Sequence, residues 1–176
     1  MYKKSVGLDP DPKLLIYLPA WFNFMFLGKR KYHRGRMVDG RWILGMVERE
    51  SGELRLEICT DNKRDRATLI PLIKRHVAPG TLIITDCWAA YNSLEQEGFM
   101  HATVNHSQHF VDPRTGAHTQ QIESLWRALK RRMSRGGVPK NEEAYGMHFG
   151  EFLWFRKNKN DPFVNLIRDI SRVYVI

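Results

Sequence analysis

The segment TLIITDCW, Thr81 to Trp88, decides how this chain is read. A short β-branched run, entered through Pro79-Gly80, ends on the carboxylate of Asp86. Such a run is too short for a helix and reads as a buried strand. A carboxylate at the carboxyl end of a strand stands where α/β sheets present ligands, because the backbone opens to solvent there while the strand stays rigid. The plain alternative is that Asp86 caps a helix running from Cys87-Trp88 onward, a common task for aspartate.

Working outward, Thr68 is expected to cap a helix with Pro71 in its first turn. Leu69, Ile73 and Val77 form its apolar stripe, and Ala78-Pro79-Gly80 stops it. Further upstream, Arg41 to Glu50 and Glu53 to Thr60 read as two strands joined at Ser51-Gly52, the second alternating Leu54, Leu56 and Ile58 with charged residues. Ala20 to Leu27 (AWFNFMFL) reads as a strand without alternation. Gly28 to Arg41 (GKRKYHRGRMVDGR) is a basic, glycine-bearing loop or hairpin. Residues 1–19 are expected to be a poorly ordered segment ahead of a domain over 20–157, with 158–176 forming a helix packed on it.

Downstream, Trp88 to Glu97 is helical in pattern, Gly98 closes it, and His101 to Val104 is a short buried strand. Thr119 is the expected N-cap of a helix whose stripe is Ile122, Leu125, Trp126, Leu129 and Met133, ended at Gly136-Gly137. Asn141 caps another helix, and Asp161-Pro162 begins the last. Strands grouped early, then helices, describe a mixed α/β sheet with flanking helices.

A chain of 176 residues with 43% hydrophobic residues can bury a core, which excludes a disordered tail. Its 28 Lys+Arg against 19 Asp+Glu, a net charge of +9, favour a polyanionic partner. A basic structural protein of a larger complex shares that composition. Leu14 to Leu27 is interrupted by Pro19 and Asn23 and is too short to cross a bilayer comfortably, so no membrane partner is expected. Cys59 and Cys87 lack metal or disulfide spacing and read as buried free thiols.

Charge is concentrated on the helix after Thr119. Glu123, Arg127 and Lys130 recur at i, i+4 and i+7, and Arg131, Arg132 and Arg135 follow without an acid between them. A solvated face with an i,i+4 ion pair would account for the first three. The unbalanced continuation instead suits phosphate contacts. Asp86 and Glu123 together offer oxygen ligands to Mg²⁺. Trp126, placed in the stripe, reads as core rather than as a base-stacking platform, and His101, His106, His109 and His118 read as loop histidines.

Taken in order, GKRKYHRGR, WILGMVER, HVAPGTLIITDCWAAYN and VNHSQHFVDPRTGAHTQQIESLWRALKRR closely resemble the DDE transposase domain of Merlin-type elements and their insertion-sequence XO-like relatives, from about Gly28 to Phe155. The resemblance implies a ribonuclease-H-like fold and Mg²⁺-dependent (or Mn²⁺-dependent) DNA cleavage and strand transfer in DNA transposition. Three acids would hold the metals, the second at Asp86 and the third at Glu123, with 36 residues between them. The first acid of the pattern falls on Asn23, a degenerate position, and the surrounding AWFNFMFL departs from the family as a whole, as in a decayed or truncated copy.

An amide cannot bridge two divalent ions as a carboxylate does. The expectation is therefore a transposase-derived DNA-binding and nuclease domain with impaired chemistry. Its alternative is an inactive, domesticated DNA-binding module. Lys29, Arg30, Lys31, Arg34, Arg127, Lys130 and Arg131 would contact DNA, a second copy would complete a homodimer, and the protein would be nuclear in a eukaryote and otherwise cytoplasmic.

Overall fold

The computed structural model describes residues 20–27, 40–104, 120–136, 139 and 141–174. Strands β1 (Ala20–Leu27), β2 (Arg41–Glu48), β3 (Leu54–Ile58), β4 (Leu82–Thr85) and β5 (Met100–Thr103) form one sheet in the order β3-β2-β1-β4-β5. β1, β2 and β3 are an antiparallel meander, and β4 and β5 join parallel to β1. The parallel additions require crossovers. Helix α1 (Arg66–His76) carries the chain from β3 to β4, and a 3-10 turn at Ala89–Tyr91 lies between β4 and β5. Helices α2 (Gln120–Gly136), α3 (Glu142–Lys157) and α4 (Pro162–Val173) complete the described elements.

Two cores cover the two faces of the sheet. Phe22, Leu44, Met46 and Ile83 pack with Leu69 and Ile73 of α1 and with Tyr91, Leu94 and Phe99. On the other face Met25, Leu27, Ile43, Val47 and Ile84 pack with Ile122, Trp126 and Leu129 of α2 and with Tyr145 and Phe149 of α3. Successive strand residues point to opposite faces, so the apolar run of β1, broken only at Asn23, is what a strand covered on both sides requires. Phe24 stacks on Tyr91 and Phe26 tilts against Trp42, both toward α1.

Several local readings are corrected. α1 begins at Arg66, because Asp65 rather than Thr68 supplies the cap: its Oδ1 accepts the Thr68 amide at 3.0 Å. Pro71 therefore lies inside the helix, where it lacks the amide that would bond the Ala67 carbonyl. Trp88 to Glu97 is a 3-10 turn followed by turns, not a helix, with Tyr91 and Leu94 fully buried beneath it. Cys87 is exposed. Cys59 is buried, and burial pushes its thiol up to about 12. His101 belongs to β5 rather than to a loop.

Asn141 caps α3 as expected, its Oδ1 accepting the Ala144 amide at 2.9 Å, and Gly52 turns the β2-β3 hairpin at φ +67°. Thr119 lies outside the described residues, as does most of the basic loop, including Lys29, Arg30, Lys31 and Arg34. Among the described residues no helix is long and apolar enough to cross a membrane.

Candidate functional site

Strand register decides which side chains meet. β1 pairs with β4 at Ala20↔Ile83 and Trp21↔Ile84. Carried on by two residues, the same parallel register sets position 23 beside position 86. On its other edge Asn23 is the cross-strand partner of Gly45. A Cβ built on Gly45 would lie 2.2 Å from the Trp126 ring, so this position faces α2, and Asn23, its direct partner, faces the same way. Met25 and Leu27, at the alternate positions of β1, and Ile84, two residues before Asp86, also pack on the α2 side.

Glu123 lies one helical turn before Trp126. That i,i+3 relation puts both on neighbouring parts of one helix surface. Ile122, Leu125, Trp126, Leu129 and Met133 are buried against the sheet, as the stripe predicts, while Glu123 is half-buried at the amino end of the contact. Trp126 is core. Asn23 thus lies on the α2 side of the sheet beside the position to which the extended β1-β4 register brings Asp86, and Glu123 stands on α2 one turn from the Trp126 that covers this face. Among the described residues no group of three His, Cys, Asp or Glu side chains is arranged to hold a metal ion.

Asp86 is braced by its neighbours. Its Oδ1 accepts the Trp88 amide at 3.1 Å, the turn-capping contact open to any aspartate here, and its other oxygen is left for a further partner. The Thr85 hydroxyl donates to the Asp86 carbonyl at 2.7 Å and stands 2.8 Å from His101 Nε2. A hydroxyl has one proton, so with that proton on the Asp86 carbonyl the His101 Nε2–H donates to Thr85. Burial lowers the His101 pKa, which favours the neutral ring.

Beside this brace the Arg64 guanidinium sits between two indoles, 4.3 Å from the Trp42 ring and 3.9 Å from the Trp88 ring. Nothing in the spacing of Trp42, Arg64 and Trp88 announces that stack; it exists because β2, the loop before α1 and the turn after β4 meet at one edge.

The basic helix face divides. Arg127, Lys130 and Arg131 are exposed, and Arg127 Nη2 donates to Ser124 Oγ at 3.1 Å. Arg132 turns instead to α3, where it pairs with Glu151 and covers the Phe155 ring at 4.7 Å. Arg132 is therefore an interhelix tie and leaves the phosphate-facing set.

The model of the ISXO2-like transposase domain matches residues 20–158. An uncharacterized transposase-like protein of Haemophilus influenzae is 32% identical over 108 residues, 60% of this chain and 85% of its own length. Among solved structures, the catalytic core domain of BIV integrase has a TM-score of 0.52 at 14% identity, covering 89% of this chain and 98% of its own. The HTLV-2 integrase catalytic core domain, solved in complex with magnesium in a dimeric form, has a TM-score of 0.48 at 14% identity, covering 81% of this chain and 86% of its own. The likeness to the BIV core identifies the architecture as ribonuclease-H-like. With a family match that begins at β1 and runs through α3, this chain belongs to the ISXO2-like transposase domain family.

Proposed function

We propose that this chain is a transposase-derived DNA-binding domain of the Merlin-type branch, whose phosphodiester chemistry is impaired by the amide at position 23. The reading rests on one observation: the β1-β4 register, carried on, sets Asn23 at the side of Asp86, on the sheet face that α2 and Glu123 cover. Asp86, Glu123 and Asn23 occupy the three ligand positions. Two carboxylates and a neutral amide do not fit a pair of divalent cations, because a bridging ligand must offer two oxygens and a negative charge. Mg²⁺ or Mn²⁺ therefore belongs to the ancestral chemistry.

What survives is the positive surface. Arg127, Lys130 and Arg131 are exposed along α2, beside the positions at which DNA would meet the site, and they contact phosphates rather than base edges. Lys29, Arg30, Lys31 and Arg34 add four further positive charges that suit phosphates.

The test has two parts. Duplex affinity should fall steeply with salt, and Lys130→Glu with Arg131→Glu should reduce the slope of log affinity against log salt by roughly 2, since each phosphate contact contributes about 0.9. A salt-independent affinity removes the phosphate surface. In parallel, supercoiled DNA with Mg²⁺ or Mn²⁺ should remain uncut by this chain and by Asp86→Ala. Nicking by this chain that is lost in Asp86→Ala shows that another residue completes the metal site.

A further inference from the structure

α4 is built inside out. Its apolar residues Phe163, Ile167, Ile170 and Tyr174 follow one another at i, i+4, i+7 and i+11, and Leu166 and Val173 flank them. At 3.6 residues per turn these six share one face, and Asn165, Arg168, Asp169 and Arg172 share the opposite one. Ordinarily such a helix buries the apolar face. Here the reverse holds: no residue of α4 is buried, and its most covered side chains are the polar Asn165 and Asp169. Phe163 is 73% exposed, Val173 76% and Tyr174 70%.

The polar face is what ties α4 to the body. The Trp154 indole Nε1–H donates to Asp169 Oδ2 at 2.8 Å, and Arg168 and Arg172 line a groove of about 1100 Å³ between α4, the end of α3 and the β2-β3 turn. Rotating α4 to bury its apolar side would break the Asp169 bond and turn charged residues outward. The helix is thus held with its apolar face presented.

We propose that this face is a self-association surface, closed by α4 of a second copy of this chain around a two-fold axis. The area argues for it. The exposed apolar residues of α4 present on the order of 700 Å² per copy, so a pair buries about 1,400 Å², within the size range of a specific interface. The shape argues for it as well. A two-fold sets one patch against itself, and the Phe163-Ile167 and Ile170-Tyr174 rows are i,i+4 ridges of the kind that interdigitate with an identical set at a crossing near −50°. The face carries no charge along those ridges, so two copies meet without burying an unpaired ion. α4 meets the body at the β2-β3 turn, the end of the sheet opposite the carboxyl end of β4 that delivers Asp86.

Sedimentation velocity of the whole chain from about 1 to 100 µM tests the proposal. The expected result is a species of twice the 20.7 kDa chain mass, with Ile167→Glu and Val173→Glu each weakening association at least tenfold while circular dichroism stays unchanged. Hydrogen exchange gives a readout that needs no variant: the amides of 163–173 should gain protection as concentration rises. A monomer at every concentration overturns the proposal, as does a dimer that persists in both folded variants. Protection of α4 that does not depend on concentration also overturns it, because a segment of the same chain would then cover the face.

Discussion

Asn23→Asp should enlarge several-fold the stabilisation that a divalent cation gives this protein. Without metal, the substitution puts a second carboxylate one strand spacing, about 5 Å, from Asp86. At an effective dielectric near 20 that repulsion is about 3 kcal/mol, and partial exposure reduces it to about 1–2 kcal/mol. For a chain of this size each kcal/mol moves the melting temperature by roughly 2–4 °C, so the metal-free variant should melt about 3–6 °C below the parent. With Mg²⁺ the same carboxylate becomes a ligand. If it tightens the site from about 10 mM to about 0.1 mM, then 10 mM Mg²⁺ stabilises the parent by about 0.4 kcal/mol and the variant by about 2.7 kcal/mol. Differential scanning fluorimetry with and without 10 mM Mg²⁺ reads both arms. The expected pattern is a Mg²⁺ shift of about 5–9 °C in the variant, near 1–2 °C in the parent, and absent from Asn23→Asp combined with Asp86→Ala. Equal Mg²⁺ shifts in parent and variant would refute the adjacency of positions 23 and 86, and the register argument with it.

Two further outcomes test the packing and the brace. Gly45→Ala drives a methyl to 2.2 Å from the Trp126 ring, so it should cost about 1–3 kcal/mol in urea unfolding, and Trp126→Leu in the same chain should recover part of the loss; full stability of Gly45→Ala alone would mean that α2 does not sit where it is drawn. Burial holds the His101 pKa below 6.5 in the folded chain, so the unfolded chain binds more protons as pH falls through 6.5 toward the folded value, and stability that is complete above 6.5 should decline over that window. His101→Gln, which keeps a donor for Thr85 without titrating, should flatten that part of the stability-pH curve, whereas an unchanged curve would show that another group sets it.

The elements were legible where periodicity and punctuation agree. β4 ends at Thr85 and delivers Asp86 as the next residue, the α2 stripe from Ile122 to Met133 is buried, Asn141 caps α3, and Asp161-Pro162 starts α4 without a side-chain cap bond. Failures occurred where a local signal had two physical outlets. Thr68 and Asp65 can each cap a helix, and the longer one won because Asp65 reaches the Thr68 amide. The pattern from Trp88 to Glu97 served a tight turn, because Asp86 holds the Trp88 amide while Tyr91 and Leu94 must reach the α1-side core. Neither Arg132 nor His101 differs in sequence from its neighbours in any way that forecasts its partner. Glu151 and Thr85 are supplied by other elements.

The site shows most clearly what a one-dimensional reading lacks. AWFNFMFL carries no acid, yet as a strand it satisfies both faces of the sheet: Phe22, Phe24 and Phe26 fill the α1 side, and Met25 and Leu27 fill the α2 side. Packing asks only for apolar volume at alternating positions, and many sequences meet that demand. The metal site asks for one carboxylate at one register position, and no neighbouring residue can substitute for it. A segment can therefore lose its chemistry while keeping its place between β2 and β4. Sequence alone could name Asn23 as the residue standing for the first acid, but only the pairing of β1 with both neighbours connects it to Asp86 on one edge and to Gly45 beneath Trp126 on the other. On the function proposed above, a carboxylate placed at position 23 should strengthen metal binding whether or not strand cleavage returns.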